Sequence, residues 1–159
     1  INQMGVVHGC HFFIPAMKQQ QSGHIFNTAS LAAVTCPPQM AAYNMTKAAV
    51  VAISETLYAE LMDFNIRVSV IQPSFFKTNI IQSARGSEHT KKVMQILVDK
   101  SGIEAHEVAA EILTRAGKGE LYITLPKLAS RMEWLDKIAP TWFRGFVNKR
   151  FDKILNRKR

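Results

Sequence analysis

Two side chains that could move a proton, Tyr43 and Lys47, stand four residues apart in this sequence. On a helix this spacing places both side chains on one face, one above the other. A fixed ammonium beside a phenol favours the phenolate and lowers a pKa that is normally about 10. A phenol tuned in this way can act as a general acid or base near neutral pH. The pair alone is weak evidence, because two solvent-facing residues on an ordinary helix have the same spacing.

The residues before the pair predict a buried strand. The segment 24–28 is almost continuously hydrophobic, as expected for a strand of a parallel sheet that is covered on both faces. Asn27 and Ser30 then form the pattern Asn-x-x-Ser at its end. Ser30 precedes Tyr43 by thirteen residues, across a loop over residues 31–40.

The residues after the pair predict a second strand, over residues 66–72, which Pro73 closes. Ser74 follows directly and Thr78 comes a few residues later. An Asn-x-x-Ser strand, a Tyr-x-x-x-Lys helix and a strand ending in Pro-Gly or Pro-Ser with a later threonine together resemble the short-chain dehydrogenase/reductase family. The resemblance runs from about residue 1 to about residue 125.

The resemblance implies catalytic roles for Ser30, Tyr43, Lys47 and Asn2. Tyr43 would be the general acid or base, Lys47 would favour its phenolate, and Ser30 would orient the substrate oxygen. Asn2 lies in a segment similar to the one whose asparagine holds a water in the family's proton relay. The structural alternatives are a turn or cap serine, a solvated lysine and a polar residue on an exposed helix turn.

The resemblance also implies NAD or NADP as the cofactor, without deciding between them. The cofactor-binding residues would be Tyr43, Lys47, Pro73, Ser74 and Thr78, with Lys47 hydrogen-bonding the ribose hydroxyls beside the nicotinamide. The family commonly has glycine where Ser74 stands. Serine lacks the freedom of glycine at positive φ, so the conformation of this turn is an open question.

A glycine-rich phosphate loop, Thr-Gly-x-x-x-Gly-x-Gly, opens this family's fold, and the sequence contains none. The eight glycines stand at positions 5, 9, 23, 86, 102, 117, 119 and 145. Against the family pattern, residue 1 falls roughly in the middle of the protein. We therefore expect the C-terminal, catalytic half of such an enzyme, as a fragment that is inactive alone rather than as a natural half-protein.

The expected fold class is α/β, a partial Rossmann-like, doubly wound parallel sheet, because strands and helices alternate. Its three strands, 24–28, 66–72 and 120–125, would be neighbours in the sheet. Helices are expected over residues 1–20, 39–64, 89–99, 104–116, 128–137 and 142–156. Residues 1–126 would form the half-domain, and 127–159 a helical, basic extension.

Two helices carry specific expectations about burial. The dense apolar pattern of residues 1–20, which includes Phe12 and Phe13, predicts a largely buried helix. In the helix over 104–116, Val108, Ile112 and Leu113 are expected to face inward.

Composition describes an ordinary globular protein, with 47% hydrophobic and 20% charged residues. No segment reads as a membrane span or signal peptide. Two cysteines, Cys10 and Cys36, offer no disulfide framework, which favours a reducing compartment and a cytoplasmic location. His8 and His11 lack a third ligand nearby, so no metal site is assigned.

The net charge of +8 belongs mostly to the C-terminus, where residues 144–159 hold seven basic residues and one acid. With its apolar positions, residues 142–156 predict a basic amphipathic helix. It could lie on an anionic membrane surface, pack on a partner subunit or on the chain itself, or bind acidic ligands, and packing is the preferred interpretation. No motif supports nucleic-acid binding.

The resemblance implies that apolar residues on both sides of the catalytic pattern border the substrate pocket, which favours a small apolar carbonyl compound or alcohol; the alternative is that these side chains simply pack. They are Ala32, Ala33, Cys36, Pro37, Met40, Phe75, Phe76 and Ile80–Ile81. By family resemblance, a homodimer or homotetramer is expected through the helices over 1–20 and 39–64.

The preferred function is an NAD(P)-dependent oxidoreductase that interconverts an alcohol and a ketone or aldehyde. The alternative is a non-catalytic interaction module derived from the same family, whose basic tail contacts a membrane or another subunit. The complete set of Ser30, Tyr43 and Lys47 favours the enzyme, whereas the absent phosphate loop favours the module.

Overall fold

The computed structural model of the chain describes residues 1–79, 88–126 and 129–155. Three strands, β1 (Gly23–Thr28), β2 (Ile66–Pro73) and β3 (Tyr122–Leu125), alternate with helices. The helices are α1 (Met4–Gln20), α2 (Ala32–Thr35), α3 (Ala41–Leu61), α4 (Glu88–Ser101), α5 (Ala105–Gly117), α6 (Ser130–Ile138) and α7 (Pro140–Leu155), and a 3-10 turn (Met62–Phe64) follows α3.

The strands form one parallel sheet in the order β1-β2-β3. Gly23 pairs with Ile66 at the start of β1, and Val70 pairs with Tyr122 at the start of β3. The central strand is buried without a break over residues 68–72, as expected for a parallel strand with neighbours on both edges and helices on its faces. The predicted α/β class and the predicted neighbourhood of the strands are confirmed.

Helix α1 runs antiparallel to β1 on one face of the sheet. Its last turn meets the start of the strand, where a side chain on Gly23 would come within 2.7 Å of the Met17 sulfur. Seven residues earlier, the Cys10 thiol lies 3.8 Å from the Asn27 amide oxygen. Earlier still, Val6 packs against the cluster that contains Ala29. The N-terminus of α1 therefore lies at the carboxyl ends of the strands.

Helix α3 covers the same face and runs in the same direction as α1. Leu61, near its end, packs with the first residues of β2, while Val50 packs with Ala29 and Val70 further along the strands. Asn65 then ends the helical segment with a left-handed φ of 53°. The first turns of α3, with Tyr43 and Lys47, consequently lie at the carboxyl edge as well.

Helix α5 packs on the opposite face of the sheet. Val108 and Ala116 form a buried cluster with Ile123 and Leu125 of β3. The predicted inward position of Leu113 is wrong, since this side chain is 66% exposed. The buried positions of α5 recur every four residues from Val108, and Leu113 falls off that stripe.

The predicted burial of α1 is also wrong for its outer side. Cys10 is buried and Val6 and Ile14 pack around it, but Phe12 and Phe13 are 73% and 66% exposed. These two phenylalanines point away from the stripe that meets β1. A second difference is α2, a single helical turn that lies within the segment predicted as loop.

The last two helices pack against the region around α2. Phe143 of α7 is fully buried. The Arg144 guanidinium pairs with Asp136 of α6 at 2.9 Å and donates to the carbonyl oxygen of Val34. These contacts connect the basic C-terminal segment to the loop that precedes Tyr43.

Candidate active site

The carboxyl ends of the three strands lie together at one end of the sheet, called its carboxyl edge. Backbone hydrogen bonds continue there past the last residue of β1. The Ala29 amide donates to the Ile71 carbonyl at 2.8 Å, and the Leu31 amide donates to the Pro73 carbonyl at 3.0 Å. These bonds hold Ser30, which lies between the two donors, beside the end of β2. In open parallel sheets this edge is where ligands bind.

Lys47 reaches this edge from α3. Its ammonium donates to the Thr28 carbonyl oxygen at 2.8 Å, at the last residue of β1. The side chain is half-buried, and burial lowers the pKa of Lys47 from its ordinary value. One of the three ammonium hydrogens is used by Thr28, and two remain for other acceptors.

Tyr43 occupies the first turn of α3, one helical turn before Lys47. The Lys47 nitrogen lies 5.9 Å from the centre of the Tyr43 ring, so the two side chains share a face as the spacing predicted. The Tyr43 carbonyl accepts a 2.8 Å bond from the Thr46 hydroxyl. The fold therefore brings Tyr43, Lys47 and the end of β1 together.

The loop that leads into Tyr43 is held in an unusual backbone conformation. Cys36 and Gln39 have φ values of 43° and 64°, in the left-handed region that residues with a side chain rarely adopt. The buried side chain of Asn44 donates to the Pro37 carbonyl at 2.9 Å and ties this loop to α3. Backbone strain of this kind concentrates at functional sites, which fits a loop between Ser30 and Tyr43.

Ser30 makes the turn contact that was considered as its structural alternative. Its side-chain oxygen accepts a bond of 3.2 Å from the Ala32 amide, which is the contact of a turn serine at the start of α2. Because the oxygen is the acceptor in this bond, the hydroxyl hydrogen stays available to a further acceptor. The turn contact thus orients Ser30 without using its donor.

Asn2 lies in the exposed turn that precedes α1. Since Val6, one turn later, packs with Ala29, the direction of α1 carries Asn2 past the end of β1 on the side of Ser30. The fold thus takes this residue to the same edge of the sheet as the other three predicted catalytic residues.

The predicted cofactor-binding segment after β2 is tied to its neighbours. The Ser74 amide donates to the Leu125 carbonyl at 2.7 Å, and Ser74 does not take a positive φ, so serine fits this turn where the family commonly has glycine. The Lys77 amide donates to the Ile103 carbonyl at 2.9 Å. Thr78 follows in this segment.

A cavity of about 260 Å³ opens beside this segment. Phe75 and Phe76 line it, whereas residues 32–40 and the predicted catalytic residues Ser30, Tyr43 and Lys47 do not. The predicted contribution of Ile80–Ile81 lies outside the described residues. The full lining is Ser74, Phe75, Phe76, Gly102, Ile103, Glu107, Val108, Glu111, Leu125 and Pro126.

Two parts of the arrangement were not visible in the sequence. The first is the acceptor for Lys47, the Thr28 carbonyl, because a backbone group leaves no sequence signal. The second is a buried network in which the Asn27 amide donates to the Ser54 hydroxyl at 3.0 Å and Ser54 donates to the Val50 carbonyl at 2.7 Å. This network gives Asn27 a structural role between β1 and α3.

Comparison with known proteins gives a family match over the same elements. The sequence profile of the short chain dehydrogenase family matches residues 1–89. A dehydrogenase/reductase SDR family protein 7-like from Anopheles gambiae is 25% identical over 155 residues, which is 97% of this chain and 49% of that protein. The chain spans about half the length of such relatives.

Solved structures agree with this match. A short chain dehydrogenase/reductase from Burkholderia phymatum, in complex with NAD, superposes with a TM-score of 0.79 at 28% identity and covers 91% of this chain and 57% of its own. A short-chain dehydrogenase from Sphingobium yanoikuyae, in complex with NADPH, superposes with a TM-score of 0.68 at 25% identity. That superposition covers 89% of this chain and 52% of the other.

Proposed function

Because the chain belongs to the short-chain dehydrogenase/reductase family, we propose that it carries the proton-transfer residues of an NAD(P)-dependent oxidoreductase. The reaction is the interconversion of an alcohol and a ketone or aldehyde. The observation that carries this proposal is the 2.8 Å bond from the Lys47 ammonium to the Thr28 carbonyl. This bond holds the Lys47 ammonium, one helical turn after Tyr43, beside Thr28, which is two residues before Ser30. All three residues belong to the carboxyl end of the sheet, where ligands bind.

Tyr43 handles the proton in this mechanism. In the reductive direction its hydroxyl gives a proton to the carbonyl oxygen, and in the oxidative direction its phenolate takes one from the alcohol. A nearby ammonium stabilises the negative charge of the phenolate. The support for this role is the position of the Lys47 nitrogen, 5.9 Å from the centre of the Tyr43 ring and bonded to the Thr28 carbonyl.

Ser30 orients the substrate oxygen. Its side-chain oxygen is held by the Ala32 amide at 3.2 Å, and its hydroxyl hydrogen can be donated to the oxygen that gains or loses the proton. A second donor at that oxygen stabilises the charge that develops there in the transition state. Asn2 would hold a water that returns protons from solvent.

The residues at this edge fit one side of a nicotinamide dinucleotide. Lys47 keeps two hydrogens after bonding Thr28, which suits the neighbouring hydroxyls of a ribose. Tyr43, Pro73, Ser74 and Thr78 would complete the contacts on this side. NAD or NADP, when bound, supplies or accepts the hydride, and this chain's residues leave the choice between them open.

The proposed substrate is a small apolar carbonyl compound or alcohol. The support is the cavity of about 260 Å³ after β2, whose walls include Phe75, Phe76, Ile103 and Val108. Ser74, Glu107 and Glu111 also line the cavity, and its mainly apolar wall favours an apolar substrate body.

We also propose a homodimer or homotetramer that associates through α1 and α3. Phe12 and Phe13 on the outer side of α1 are exposed, and Met45 on α3 is 64% exposed. Exposed apolar side chains on these two helices are suited to an interface between subunits. Both cysteines are free thiols, which suits the proposed cytoplasmic location.

A non-catalytic association module is the second candidate. It is favoured by the exposed aromatic side chains of this half-fold, which include Phe26 on β1 at 40% exposure. Such a module would bind another protein through these side chains and leave Tyr43 without a chemical role.

Turnover distinguishes the two candidates. The full-length gene product that contains this chain should oxidise NADH or NADPH in the presence of apolar ketones or aldehydes. The matched variants are Ser30→Ala, at the site, and Ser22→Ala, at an exposed position directly before β1, at the amino ends of the strands. Loss of turnover in Ser30→Ala alone supports the enzyme, whereas wild-type activity in both variants would contradict the proposed site.

A further inference from the structure

The two C-terminal helices expose an unusual set of large apolar side chains. Trp134 and Ile138 on α6 are 62% and 61% exposed, and Trp142 and Phe146 on α7 are 60% and 41% exposed. Each pair is four residues apart, so each lies on one side of its helix. The Trp142 and Phe146 rings stack with their centres 5.7 Å apart.

Trp142 and Phe146 do not lie on the side of α7 that packs against the rest of the chain. That side is formed by Phe143 and Val147, which are fully and almost fully buried. Trp142 and Phe146 each precede one of these residues, and at about 100° per residue they lie to one side of the buried stripe. Helix α7 therefore has two apolar stripes, and the chain covers one of them.

Basic residues extend the uncovered stripe. Lys149 is three residues after Phe146 and seven after Trp142, and Lys153 is four residues further on, so all four share one side of α7. Both lysines are exposed. We call Trp134, Ile138, Trp142, Phe146, Lys149 and Lys153 the Trp–Lys surface.

The same combination recurs on α6. Arg131 stands three residues before Trp134 and is exposed, whereas the Lys137 ammonium lies over the Tyr122 ring, 5.1 Å from its centre. Tryptophan has an apolar body and a polar N–H, which suits the boundary between lipid headgroups and acyl chains. Lysines beside it are attracted to anionic headgroups.

We propose that the Trp–Lys surface docks on an anionic lipid bilayer. The charge complementarity is strong, because residues 144–159 carry seven basic residues and one acid. A second copy of the chain is a poor occupant, since a two-fold contact places the same patch on both subunits and would oppose like charges. No helix in the described part of the chain is long and apolar enough to cross a bilayer, and the proposed contact is with its surface.

The position of this surface gives the contact a consequence for the active site. Arg144 of α7 donates to the Val34 carbonyl in α2, and α2 lies between Ser30 and Tyr43 in the chain. Docking would bring the loop that precedes Tyr43 in the chain close to the bilayer. The docking itself does not depend on the proposed reaction.

The chain supplies its own reporter for a test. It has two tryptophans, and both lie on the Trp–Lys surface. The 159-residue chain is mixed with vesicles of phosphatidylserine and phosphatidylcholine, and separately with phosphatidylcholine alone. The expected result is a blue shift of tryptophan emission and co-sedimentation with the anionic vesicles only, both reduced by added salt.

Two charge-reversal variants sharpen the test. Lys149→Glu combined with Lys153→Glu should weaken vesicle binding about tenfold or more. The matched control, Lys92→Glu combined with Lys100→Glu, makes the same charge change at exposed positions on α4 and should bind nearly as wild type.

Three results would overturn the proposal. They are the absence of any emission shift with anionic vesicles, equal binding to neutral vesicles, and equal loss of binding in both variants. A blue shift that grows with protein concentration in the absence of lipid would identify the surface as a self-association face instead.

Discussion

The Lys47 ammonium donates a 2.8 Å hydrogen bond to the carbonyl oxygen of Thr28. This bond joins the second turn of α3 to the last residue of β1 and sets the position of the cation at the carboxyl edge. Two residues after Thr28 the chain reaches Ser30, and one helical turn before Lys47 stands Tyr43. This backbone acceptor therefore fixes Lys47, one of the three side chains that the proposed mechanism uses.

Lys47→Met should reduce turnover by about 100-fold or more, because it removes the charge that stabilises the Tyr43 phenolate. It should also raise the KM for the cofactor, since the donors for the ribose hydroxyls are lost. Steady-state kinetics of the full-length gene product measures both. Lys92→Met, at an exposed position of α4, is the control. If the two variants had equal effects, Lys47 would have no specific role at the site.

Ser30→Ala should lower kcat by about 100-fold, because the substrate oxygen loses a donor in the transition state. Ser30→Thr restores a hydroxyl and should recover part of the activity. The free energy of unfolding should change by about 1 kcal/mol at most, the value of the lost turn contact with Ala32. If alanine and threonine variants were equally impaired, the hydroxyl would not be the active group.

Asn27→Leu should destabilise the fold by about 1–3 kcal/mol, because the buried donor to Ser54 is removed and the contact with Cys10 is lost. The free energy of unfolding in urea measures the effect. Thr28→Val is the control, since its side chain is exposed and its backbone carbonyl is retained. If the Asn27→Leu variant were as stable as this control, the buried network would not contribute to holding α3 on β1.

Tyr122 provides a prediction about pH. Burial, and then its 2.5 Å hydrogen bond to Glu55, raises the pKa of Tyr122 to about 12. A folded-state pKa above the unfolded value of about 10 gives stability that is complete below pH 10 and is lost as the pH rises towards 12. The difference in free energy of unfolding between wild type and Tyr122→Phe should therefore shrink across that window.

The control for this prediction is Tyr58→Phe, at a half-buried position of α3. When the phenolate absorbance of the wild type is titrated with rising pH, one component should appear at high pH that is missing only in Tyr122→Phe. A wild-type titration in which Tyr122 ionises with the other tyrosines would contradict the assignment.

Much of the framework was predictable because it rests on repeating patterns. Apolar runs marked the three strands, and the four-residue spacing placed Tyr43 and Lys47 on one face of a helix. The end of the helix predicted over 39–64 also agrees, because Asn65 follows it and asparagine tolerates the left-handed conformation.

The remainder depends on tertiary contacts that leave no periodic signal. The apolar content of α1 did not distinguish the stripe around Cys10 from the exposed Phe12 and Phe13. The left-handed backbone at Cys36 and Gln39 has no glycine to mark it. The Thr28 carbonyl is the acceptor for Lys47 because α3 packs on β1, and this packing has no signal in the sequence.

The central claim is that Tyr43 transfers the proton. The direct measurement is the turnover of the Tyr43→Phe variant of the full-length gene product, with Tyr58→Phe as the control and the fluorescence of bound NADH or NADPH as a check on cofactor binding. The proposed function predicts a loss of turnover of about 100-fold or more with cofactor binding retained, in Tyr43→Phe alone. Undiminished turnover in Tyr43→Phe would contradict it.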